Sequence, residues 1–88
     1  MFIYKYVFYM SEISIPSGTV QYFGFDTEQN LCVWVQRNPD DVGIMTLGLL
    51  MTGQEYPPEV TPIVGMTLIN NATGMVFHLA HFEKSRKP

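Results

Sequence analysis

A chain of 88 residues, 47% hydrophobic and only 15% charged, makes one small domain, since a chain this short buries only about 60–70% of its unfolded surface. Residues 1–82 hold two cations (Lys5, Arg37) against seven acids, which excludes double-stranded DNA, whose phosphates need several Lys/Arg contacts. Cys32 is the sole cysteine, so no internal disulfide forms, and no apolar run reaches the roughly 18 residues of a membrane helix.

In chain order, apolar, aromatic and β-branched runs alternate with turn clusters, and the spacing predicts six strands: 2–9, 19–25, 31–36, 44–51, 63–69 and 75–82. In the first run Phe2, Tyr4, Tyr6 and Phe8 share one face, while Ile3, Lys5, Val7 and Tyr9 share the other. Met1–Met10 is apolar but is not read as a secretory leader: it has no basic start, Lys5 interrupts it, and no small-residue cleavage site follows. A soluble cytosolic protein is the expectation. Pro16-Ser17-Gly18 reads as a turn.

Residues 19–25 and 31–36 form a hairpin across Asp26-Thr27-Glu28-Gln29-Asn30. Cys32, beside Val33 and Trp34, reads as an inert buried thiol. The segment 37–43, with Pro39, two aspartates and Gly43, ends the ladder. Residues 44–51 fit a strand or a short helix, and Ile44, Thr46 and Gly48 favour the strand. Thr52–Glu59 is the longest non-periodic stretch and the expected functional loop. A last hairpin spans 63–69 and 75–82, across Asn70-Asn71-Ala72-Thr73-Gly74.

These elements predict an all-β domain over residues 1–82: an antiparallel meander of about six strands, closed as a barrel or sandwich. Residues 83–88 form a charged, flexible tail. One core of this size does not hide all the apolar strand residues, so a homo-oligomer is expected.

Four segments taken in order carry a resemblance: Ile3-Tyr4-Lys5-Tyr6; Ile15-Pro16-Ser17-Gly18; Leu31-Cys32-Val33-Trp34 with the Asn38-Pro39-Asp40 turn; and Thr52-Gly53, Val64-Gly65 and Val76-Phe77-His78. Over residues 1–82 the set resembles a family of small bacteriophage proteins of uncharacterised function. It departs where relatives tend to have a longer charged turn, here the short Asp41-Val42-Gly43. The chain is also similar to the phage anti-CBASS proteins, sponges that sequester cyclic nucleotide immune signals. The resemblance implies an anti-defence protein of the host cytoplasm that binds a nucleotide second messenger without cleaving it.

A sponge needs stacking surfaces and phosphate donors. Tyr4, Tyr6, Tyr56 and Trp34 are the candidate stackers, although Trp34 is expected to pack mainly in the core, with Phe2, Phe8, Phe23 and Phe77. Arg37 is the candidate phosphate clamp, with a surface pair to Asp40 or Asp41 as its alternative. Lys5 is a weaker clamp, and Thr52, Gly53 and Gln54 supply further donors. So few cations per chain place the expected site between subunits. His78 and His81 lie on opposite faces of a strand, so neither a metal site nor a cofactor is expected, and no nucleophile or paired acid marks an enzyme. The alternatives are an anti-CRISPR-like inhibitor that masks a host defence protein, and a small phage protein with no defence role.

Overall fold

A computed structural model describes residues 1–82, which form seven strands: β1 (Phe2–Val7), β2 (Glu12–Pro16), β3 (Thr19–Phe25), β4 (Leu31–Arg37), β5 (Ile44–Met51), β6 (Val60–Asn70) and β7 (Met75–Phe82). No helix occurs among them. The expected tail, 83–88, lies outside the described residues. Residues 44–51 are a strand, as Ile44, Thr46 and Gly48 indicated.

The strands do not run as a single meander, and there are seven rather than six. They build two antiparallel sheets, one in the order β1-β4-β3 and one in the order β2-β5-β7-β6. Only β3–β4 and β6–β7 are hairpins of consecutive strands; β1–β4, β2–β5 and β5–β7 join distant segments. The unforeseen strand, β2, supplies Ile13 and Ile15 to the core, while Ser14 turns the other way and its hydroxyl meets that of Thr46 at 2.9 Å.

Both sheets face one shared core, which makes the domain an open sandwich and not a closed barrel. Phe23, Val33 and Val35 come from the three-stranded sheet, and Ile13, Ile15, Leu47 and Leu79 from the four-stranded one. Val33, Val35, Leu47 and Leu79 are wholly buried. Each such aliphatic side chain contributes roughly 1.5–3 kcal/mol on leaving water. Phe8 and Phe77 lean half-buried against the same cluster. Phe2 does not: it stands at the start of the edge strand β1, 58% exposed.

Strand alternation turns Trp34 and Gln36 of β4 outward. Trp34 is therefore not in the core. It lies half-buried on the outer face of the three-stranded sheet, with its ring 5.2 Å from that of Tyr22. On the outer face of the four-stranded sheet a second, smaller cluster gathers Leu50, Val60 and Ala80, with Phe82 packed against it.

Candidate functional site

The second cluster borders an open cleft of about 230 Å³. Three strands and one loop converge on it. Leu50 lies on the outward face of β5, since its neighbours Leu47 and Leu49 pack into the main core. His78 alternates in the same way with Phe77 and Leu79 on β7. Pro62 on β6 faces Ala80 across the ladder and completes the apolar floor.

The β5–β6 connection makes the wall. The Gln54 N–H donates to the Met51 carbonyl at 2.9 Å, closing a turn whose third position is Gly53 at φ 87°. That φ suits glycine, since an L side chain there costs roughly 1–2 kcal/mol. The Gln54 side chain clasps the same turn, its Oε1 accepting the Met51 N–H at 2.9 Å. Its amide NH2 group keeps two further donors. Tyr56, 43% exposed, adds an aromatic ring and a hydroxyl to the lining.

His78 is fixed from both sides. Its Nε2 lies 2.8 Å from the Thr52 hydroxyl and its Nδ1 lies 3.3 Å from that of Thr67. One neutral imidazole nitrogen accepts and the other donates, so the two threonines hold the ring plane. No carboxylate lines this cleft to orient His78 as a base. Among the described residues no group of three or more His, Cys, Asp or Glu is placed to hold a metal ion.

The nine residues nominated from sequence fall in three places. Thr52, Gly53, Gln54 and Tyr56 meet in the cleft. Tyr4, Tyr6 and Arg37 lie on the inward face of the other sheet, where the Tyr4 and Tyr6 rings are 6.5 Å apart. The Arg37 guanidinium sits 5.6 Å over Tyr4, its Nε donating to the Ser17 carbonyl at 3.4 Å and its Nη2 to the Asp41 carbonyl at 2.8 Å. Arg37 thus reaches the backbone of Asp41, where sequence offered its carboxylate. Lys5 and Trp34 occupy the outer face of that sheet, opposite one another in register.

Lys5 bonds the Asp26 carboxylate at 3.1 Å, which raises the lysine pKa above its ordinary value. Cys32 is buried beneath, its thiol 3.5 Å from Asp26 Oδ2 and 3.3 Å from the Asn30 carbonyl. Burial, then Asp26, pushes the thiol pKa up, away from the thiolate that nucleophilic chemistry needs.

Sequence reasoning missed Leu50, Met51, Pro62 and His78 as cleft residues and Tyr22 as the partner of Trp34. The one available signal was the position of His78 between two core residues on a strand, which aims it at the opposite face. Comparisons of the chain with protein-family models, with curated proteins and with solved structures find no match.

Proposed function

We propose that this protein is a non-catalytic binding domain that sequesters a nucleotide second messenger, with the base seated in the β5–β6 cleft. The supporting observation is the cleft itself: an apolar floor and a tyrosine ring, with the Gln54 amide, Tyr56 hydroxyl and the Thr52–His78 pair along its walls. An apolar cavity with a few convergent polar groups is the usual form of a small-molecule site. At about 230 Å³ it lies below the roughly 300–1,000 Å³ of sites that enclose a drug-sized ligand. It suits one ring system, with the sugar and phosphates projecting outward. No Lys or Arg lines it, so a cyclic dinucleotide would place its second base and phosphates in solvent or against a second chain. Phage anti-defence in the host cytoplasm is the setting such capture would serve.

The exposed Tyr22 beside Trp34 on the outer face of the other sheet, with the 61% exposed Ile3 on the same face, favours a second reading, an inhibitor that covers a host protein. Thermal unfolding against cyclic dinucleotides, cyclic trinucleotides and ADP-ribose derivatives separates the two. A ligand at about a hundred times its Kd stabilises its site by roughly 2.7 kcal/mol, a rise of about ten degrees or more in Tm for so small a domain. Tyr56→Ala should reduce that rise, and the ligand should be recovered intact. Recovery of product would make the protein an enzyme. No rise with any compound would remove the nucleotide reading and turn the search to macromolecules.

A further inference from the structure

Each sheet has two edge strands, and three of the four carry a feature that blocks another strand from adding. β2 is short, begins at Glu12 and ends on Pro16. β3 changes register between Val20 and Tyr22. β6 contains Pro62, loses register between Pro62 and Thr67, and turns through Gly65 at φ 82°. Proline, bulges, short length and charged side chains, lysine above all, are devices by which natural sheets protect their edges. β1, Phe-Ile-Tyr-Lys-Tyr-Val, has neither proline nor bulge: it pairs with β4 in unbroken register from Phe2 to Val7. Lys5, its single charge, is drawn to Asp26.

The ladder determines which backbone groups of β1 face outward. The Phe8 N–H donates to the Leu31 carbonyl at 2.8 Å, in the register that continues Phe2↔Arg37. Antiparallel residues alternate between pairs that exchange both bonds and pairs that exchange none. The even-numbered residues therefore bond β4, and Ile3, Lys5 and Val7 turn their N–H and C=O groups away from it. Among the described residues no strand lies on that side. Phe2 and Ile3, 58% and 61% exposed, flank this free edge.

We propose that β1 is a homodimer interface, pairing antiparallel with β1 of a second copy about a two-fold axis, so that two three-stranded sheets become one of six strands. Such an axis keeps inward residues opposite inward residues, which leaves registers centred on Tyr4 or on Lys5. The Lys5 centre sets two ammonium groups directly opposite, a destabilising pair. The Tyr4 centre sets Ile3 opposite Lys5 and Phe2 opposite Tyr6, and extends the ring row of Phe2, Tyr4 and Tyr6 across the axis. Hydrogen bonds between Ile3 and Lys5 of the two copies then satisfy those residues' outward backbone groups. The interface is independent of the ligand cleft, which lies on the other sheet.

Light scattering on the eluting full-length chain, at about 100 µM and over a dilution series giving Kd, tests this. The expected wild-type mass is twice the 10.1 kDa of the chain. Ile3→Lys, which adds a cation opposite Lys5 twice per dimer, should raise the dimer Kd at least about tenfold. Ile3→Glu should leave it unchanged or lower it. Both side chains point to solvent, so the circular dichroism of the variants should match wild type. A monomeric wild type, or an oligomer whose Kd Ile3→Lys leaves unchanged, overturns the proposal. Equal weakening by Ile3→Lys and Ile3→Glu overturns the Tyr4-centred register.

Discussion

The Asp26 carboxylate closes the β3–β4 turn, holds Lys5 and accepts from Cys32 within one side chain. Its Oδ1 accepts the N–H groups of Glu28 and Asn30, each at 2.9 Å, and its Oδ2 takes the lysine and the thiol. These bonds hold its pKa well below the usual carboxylate range, with the Asn30 N–H the largest cause. Desolvation opposes that shift, and Lys5, the Glu28 N–H and Cys32 reinforce it. A depressed folded-state pKa contributes stability that is complete above the unfolded value of about 3.9 and is lost as pH falls through the folded value. The wild-type Tm should therefore decline as pH drops below about 4. Asp26→Asn should lower Tm at neutral pH and flatten that acid decline, as a Tm series from neutral to acid pH would show. A parallel fall in both proteins would assign the acid sensitivity to other carboxylates. The turn was legible in the sequence, because Asp and Asn in a short polar connection are turn formers. The tie from Asp26 to Lys5 was not, because it depends on β1 lying beside β4.

Register between strands also explains Gly48. Paired with Ala80 on the outer face of the four-stranded sheet, it leaves the space that the Phe82 ring fills; a Cβ built there would overlap that ring. Gly48→Ala should cost roughly 1–3 kcal/mol through overpacking, lowering Tm by about 4–8 °C for each kcal/mol. Val64→Ala is the matched control, for Val64 is 96% exposed and its truncation should move Tm little. Equal Tm for Gly48→Ala and wild type would show that Phe82 swings aside at no cost. Both hairpins could be foreseen because their turn chemistry is local. β2 could not: Glu12-Ile13-Ser14-Ile15-Pro16 has only two apolar residues and takes its identity from β5, some thirty residues away. Trp34 was misjudged because β4 is apolar on both faces, so alternation alone did not say which face meets the core. The cleft divides in the same way. Its loop was visible as a Gly- and Pro-bearing stretch without periodicity, whereas Leu50, Pro62 and His78 reach it only through the pairing of β5, β6 and β7.

At the scale of the whole molecule the charge balance makes a prediction that the cleft alone does not. The described body carries seven acids against two cations, and both cations have intramolecular partners: Lys5 on Asp26, Arg37 on two backbone carbonyls and the Tyr4 ring. An anionic nucleotide approaching the cleft therefore meets a net repulsive field, which salt screens over a Debye length of about 10 Å at 0.1 M. Capture through the base, with the phosphates outside, gains or holds affinity as salt rises from about 0.05 to 0.5 M, because screening removes repulsion. Capture through a phosphate clamp does the reverse, since a direct Lys/Arg–phosphate attraction weakens on screening. Titration calorimetry with the nucleotide that raises Tm, repeated across that salt range and with the corresponding nucleoside, distinguishes them. Affinity that is flat or rising, and equal or tighter for the nucleoside, is the expected result. Affinity that falls with salt and is lost with the phosphate would mean that a cation of this chain or of a second one holds the phosphate, and would overturn capture through the base alone.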